Sequence, residues 1–192
     1  MLRINIPLLF LISFISAQIA LPTFQGVHTP QNTTSGTPEN PLQSSGHSIY
    51  SSNHGWSYLL GYRFTPQVDG TITQLGGYYN GTKTVYLWRW SDGLYLGSVS
   101  NSSSNNWTYT NLDNSVSVSS GTEYYVAVAI NGSGGSYFRN INLPKTYGNI
   151  TVNYTAYKSG NFNSTTMPIS FSHSTRTDNI YGLPDITFVP DS

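Results

Sequence analysis

The sequence predicts an all-β sandwich of about ten antiparallel strands behind an extended N-terminal segment, and three observations carry that prediction. Between residues 47 and 192, short runs of Val, Ile, Tyr, Trp and Thr alternate with Gly, Asn and Asp, and no apolar period of 3.6 residues is sustained. Ser, Thr, Asn and Gly fill 84 of 192 positions while only 8% are charged, so neutral hydroxyls and amides supply the polarity, as in a turn-rich β protein. Residues 18–45 contain Pro22, Pro30, Pro38 and Pro41, each without a backbone donor, which excludes a helix or a central strand over that length.

The elements follow in chain order. Arg3 precedes an almost unbroken apolar run from Ile6 to Ile15 that ends in Ser16 and Ala17. This is the pattern of a secretory signal peptide over residues 1–17, and the run is shorter than the roughly 20 residues of a membrane span. The expected location is therefore extracellular or at the cell surface, with no membrane span. Residues 18–45 form the extended Pro/Thr/Ser-rich segment, which nevertheless holds Ile19, Leu21, Phe24 and Val27; a freely solvated linker does not need them. The sandwich is expected over 46–192, with strands at 56–65, 70–79, 83–90, 94–100, 107–112, 115–118, 123–130, 136–140, 150–157 and 185–189. Asn80-Gly81, Asp92-Gly93 and Asn131-Gly132 supply the left-handed positions of tight hairpin turns. Strands 83–90 and 123–130 are apolar on both faces, which marks a central pair either covered on both sides or flanking a binding face.

Composition also excludes functions. Lys plus Arg and Asp plus Glu are 8 each, for a net charge of zero, so nothing attracts nucleic acid or an anionic membrane. Cysteine is absent, which removes disulfides, thiolate metal sites and a Cys nucleophile. Most carboxylates lie in predicted turns rather than in a catalytic pair, no G-x-S-x-G elbow occurs, and the four histidines lack ligand spacing, so an enzyme is not expected. No cofactor motif is present; Asp178 and Asp185 are the one weak calcium candidate, since oxygen ligands are plentiful there.

The run "GYRFTPQVDGTITQLGGYYNGTKTVYLWRWSDGLYLGSV" over Gly61 to Val99, with "VSVSSGTEYYVAVAI" and "DNIYGLPDITFVP", resembles the bacterial secreted and surface domain-of-unknown-function family 4082. The resemblance implies a jelly-roll-like β-sandwich similar to carbohydrate-binding modules, of the kind found in large polysaccharide-processing surface proteins. It supplies no reaction.

Two functional expectations follow from the residues. In the first, the protein is the structural subunit of an extracellular filament: the segment bearing Ile19, Leu21, Phe24 and Val27 adds as a strand to an open sheet edge of the next copy, head to tail. A secreted module expected to lack an anchor or companion domain is retained only by assembling or by binding something. In the second, it is a carbohydrate-binding or adhesive module that grips polysaccharide through aromatics, which form 14% of the chain. Trp88 and Trp90, which share a face, are the leading contacts, with Trp56, Tyr58, Tyr78, Tyr79 and Trp107 as further candidates; the competing reading puts Trp88 and Trp90 in the core. Eight N-x-S/T sequons, at Asn32, Asn80, Asn101, Asn106, Asn131, Asn149, Asn153 and Asn163, make an N-glycosylated product a third expectation.

Overall fold

The computed structural model describes residues 36–52 and 56–192, with the side chains of Ser52 and Trp56 left out. Ile19, Leu21, Phe24, Val27 and Asn32, together with the signal segment, lie outside the described residues.

Among the described residues, eleven strands build two antiparallel sheets. They are β1 (Tyr50–Ser52), β2 (Trp56–Pro66), β3 (Gly70–Arg89), β4 (Tyr95–Val118), β5 (Tyr124–Gly132), β6 (Gly135–Arg139), β7 (Lys145–Tyr147), β8 (Ile150–Ser159), β9 (His173–Arg176), β10 (Asn179–Tyr181) and β11 (Pro184–Pro190). The larger sheet runs β11-β3-β5-β2-β8-β7, with β4 on β3 and β9 on β8; the smaller runs β1-β6-β10. The expected central pair forms as an antiparallel ladder from Val85↔Val128 to Arg89↔Tyr124.

The Asn80-Gly81 hairpin does not form. Gly81 has φ 89° but Asn80 stays in the ordinary region, so the dipeptide lacks the paired left-handed geometry of a two-residue turn and β3 runs through it. Strands 94–100, 107–112 and 115–118 likewise fuse into the single 24-residue β4. The long β3–β4 hairpin absorbs its curvature at bulges, one of them at Asn105 (φ 55°), where the register steps from Tyr79↔Asn106 to Asn80↔Ser104. Asn131-Gly132 is not a hairpin either: the chain leaves β5 there and enters the smaller sheet. Asp92-Gly93 does turn the chain, with Asp92 Oδ1 accepting from Leu94 N at 3.2 Å. The strands β1, β7, β9 and β10, of three or four residues each, are too short to carry a periodic signal.

The inner faces pack as one core. Tyr62 and Phe64 of β2, Ile72, Leu75, Val85 and Leu87 of β3, and Val126 and Val128 of β5 are fully buried with Ile186 and Phe188 of β11, in the same sheet, and Ile180 of β10 in the smaller one. A second, smaller cluster occupies the other face of β2, β3, β5 and β8: Leu59, Tyr86, Trp88, Tyr125, Ala127, Ala129 and Ala156. The loop 160–172 lies over it and contributes Phe162, Met167 and Phe171. The three alanines leave room for rings to lie flat, and Tyr86, Trp88 and Tyr125 stack with centroids 5.1 and 5.8 Å apart.

Residues 36–45 join the sandwich rather than the tail. Glu39 exchanges two backbone hydrogen bonds with Phe188 (2.7 and 2.9 Å), and Leu42 is buried in the core. The carboxylate of Asp185 in β11 accepts from Leu42 N (3.2 Å) and Gln43 N (3.0 Å), thereby capping the 3-10 turn Gln43–Ser45. Among the described residues, no helix is long and apolar enough to cross a membrane.

Candidate functional site

A groove of about 720 Å³ opens between the smaller sheet and strands β2 and β8, a size within the roughly 300–1,000 Å³ typical of small-ligand sites. Four strands each place one tyrosine in it: Tyr58 on β2, Tyr137 on β6, Tyr157 on β8 and Tyr181 on β10. Short strands and single alternating positions bring these rings together; the ring centroids step 6.1 Å from Tyr58 to Tyr157, 5.7 Å to Tyr181 and 6.0 Å to Tyr137. Tyr50 of β1 continues the row at 5.8 Å from Tyr137.

Polar groups punctuate this aromatic row. Arg139 holds its guanidinium 4.7 Å from the Tyr50 centroid and 5.2 Å from that of Tyr137, and its Nη2 donates to Tyr137 Oη at 2.6 Å. Among the described residues no carboxylate pairs with it. Arg176, by contrast, grips Asp178 in a two-pronged contact (2.6 and 2.9 Å), which lowers the Asp178 pKa and raises that of the guanidinium. Asn179 is fixed by bonds from Nδ2 to Asp178 Oδ2 (2.8 Å) and to Tyr181 Oη (3.0 Å), and its carbonyl accepts from Thr155 Oγ1. Ser136 also lines the groove; its hydroxyl is buried and has no hydrogen-bond partner among the described residues.

Backbone strain sits at the same place. Asn140 (φ 53°) borders the groove and Leu183 (φ 45°) follows it, both non-glycine residues in the left-handed region. Gly182 (φ 82°) is required between them, because a Cβ there would meet Leu60 Cβ at 2.5 Å.

Of the residues singled out from sequence, Tyr58 and Asp178 line the groove, and the others whose side chains are described fall elsewhere. Trp88 is wholly buried in the smaller apolar cluster, and its Nε1 donates to Thr165 O at 2.7 Å, so it is no solvated platform. Trp90 is half-buried beneath the Arg63 guanidinium (4.2 Å) and beside Phe171 (5.1 Å). Trp107 is half-buried at the sandwich rim, edge-on to Tyr78 at 5.7 Å. Trp56 opens β2, and its side chain is outside the described set. Asp178 and Asp185 do not form a calcium site: the first is paired with Arg176, while the second is fully buried and surrounded by donors. Tyr62 and Tyr109 hydroxyls donate to Asp185 at 3.2 and 2.8 Å, beside the two backbone N–H groups that cap the turn. Burial still outweighs these bonds and raises its pKa to about 6. Glu123, without an evident partner in the sequence, bonds Arg63 and, through Oε1, Asn153.

The sequons divide by exposure. Asn80, Asn106, Asn131 and Asn163 are exposed, whereas Asn149 and Asn153 are half-buried with their Nδ2 groups bonded to Glu39 and Glu123. Asn101 is 1% exposed and accepts from Thr108 Oγ1, which leaves its amide no room for a sugar in this fold.

The tyrosine groove is what sequence reasoning missed. Its members are single residues on strands far apart in the chain, and the one local cue is Tyr137 two places from Arg139, on the same face of a strand. In comparison with known proteins, a family model described as "Domain of unknown function (DUF4082)" matches residues 44–181. No curated protein matches the chain.

Proposed function

The chain belongs to the DUF4082 family, and on that β-sandwich we propose that it is a secreted structural subunit of an extracellular filament. Its segment bearing Ile19, Leu21, Phe24 and Val27 adds as a strand to the sheet of a neighbouring copy. The observation that supports this most is the edge formed by β4: among the described residues it pairs only with β3, so one side of a 24-residue strand carries free backbone donors and acceptors. Edge strands are ordinarily guarded by charge or proline, yet β4 has Asp113 as its one charge and no proline. Bulges interrupt it, but 97–104 keeps unbroken register with 80–87, a regular stretch of eight residues, close to the nine from Ile19 to Val27.

Side chains near this edge favour a covering strand. Leu96, Trp107 and Val116 are only partly buried where they pack on the core. Burying three or four apolar residues of an incoming segment at about 1.5–3 kcal/mol each yields on the order of 5–12 kcal/mol before ordering costs. Such a joint is head-to-tail and does not close on itself, so it propagates as a fibre. Pro22 restricts the register of such a joint to those in which its missing N–H is not required by the ladder.

Electron microscopy of the secreted protein tests the reading. Filaments are expected from the intact chain and none after deletion of residues 18–35; filaments that persist without that segment overturn it. The adhesive alternative loses the Trp88 and Trp90 platform, which is covered by the loop 160–172.

A further inference from the structure

Four features of the tyrosine groove point the same way. Its walls are rings with polar tips, suited to lie against the C–H faces of a sugar while hydroxyls bond at the edge. Its net charge is positive, since Arg176 and Asp178 neutralise one another and Arg139 has no carboxylate partner among the described residues. The Arg139 guanidinium is held in place by Tyr50 and Tyr137, so a planar fork of N–H donors is set in advance of any ligand. The anchored Asn179 adds a neutral hydrogen-bonding group at the groove wall.

We propose that this groove binds a carboxylated sugar of the uronic-acid class, with the pyranose ring against the tyrosine row and the carboxylate on Arg139. A neutral glycan would leave the guanidinium without the bidentate acceptor whose geometry it matches. A nucleic acid is disfavoured, because one free cation cannot follow a line of phosphates. The site lies on the face formed by β6 and β10 and is independent of strand addition at β4, so the two can fail separately.

Titration calorimetry of the intact mature protein with oligogalacturonides, and with the matching neutral galactose oligomers, tests this. Binding of the acidic oligomer at least tenfold tighter is expected, with the difference shrinking as sodium chloride rises to about 0.5 M. Arg139→Gln should erase the preference and leave residual neutral binding. Tyr137→Ala should weaken both ligands together. Arg139 is exposed, so the Gln variant keeps the fold, and a thermal melt within a few degrees of the parent verifies it. Equal affinity for the two oligomers, no binding of the acidic one at millimolar concentration, or a preference unchanged in Arg139→Gln overturns the proposal. Filament loss with binding retained touches only the assembly reading.

Discussion

At the residue scale, three side chains separate packing from function. Trp88 carries both stacking partners and the bond to Thr165 O, so Trp88→Ala should cost about 3–5 kcal/mol of stability in chemical denaturation. It should leave glycan affinity unchanged. Asp185 has a folded pKa near 6 against 3.8 for the free group, since burial disfavours its charge. The native state therefore keeps this proton where the unfolded chain has lost it, and the contribution of Asp185 to stability falls as pH rises from about 4 to about 6, by about 3 kcal/mol in total. Denaturation midpoints across that window should slope downward in the parent, and Asp185→Asn should flatten this part of the slope; equal slopes would remove the assignment. For the sequons, glycopeptide mass spectrometry of the native secreted protein should find sugar at exposed positions such as Asn80 and Asn163, and none at the buried Asn101. None of these distinctions was visible in the linear pattern. Trp88 and Trp90 alternate with residues that are also apolar, so the wet face could not be told from the dry one until the loop 160–172 was in place.

At the element scale, the β4 edge and the loop 160–172 dominate. Lysines at the exposed Ser100 and Ser102 place two like charges beside the regular stretch of β4. Pairing a second chain there becomes unfavourable. Electron microscopy of Ser100→Lys/Ser102→Lys should show monomers whose circular dichroism matches the parent; undiminished filaments would move the joint to another edge. The loop is tied down by Asn131, which donates through Nδ2 to Phe162 O (2.9 Å) and accepts from Phe162 N (3.0 Å). Asn131→Ala should therefore cost about 1–2 kcal/mol and shift tryptophan fluorescence to the red as Trp88 and Trp90 meet water. The strands themselves were largely legible, because alternating β-branched and aromatic runs bounded by Gly and Asn leave few other choices. The junctions were not. Asn-Gly reads as a hairpin from local propensity, yet at Asn80 the long ladder with β4 carries β3 through the dipeptide, and at Asn131 the chain passes to the other sheet.

At the scale of the whole molecule, the fold rests on packing rather than charge. There are 8 charged residues of each sign, and the three ion pairs among the described residues join Arg63–Glu123, Arg89–Asp92 and Arg176–Asp178. The exposed pairs, Arg89–Asp92 and Arg176–Asp178, contribute about 0–1 kcal/mol each. Composition and periodicity by themselves determined the fold class, the central pair and the want of electrostatic drive toward nucleic acid, because these depend on residue type and spacing along one strand. The tertiary structure alone decided which aromatics are wet, that residues 36–45 belong to the sandwich, and that four tyrosines and Arg139 share one groove. Those facts depend on which strands lie side by side. Strand order is set by the mutual fit of two faces of a sheet, a property of the whole chain that no local stretch of residues contains.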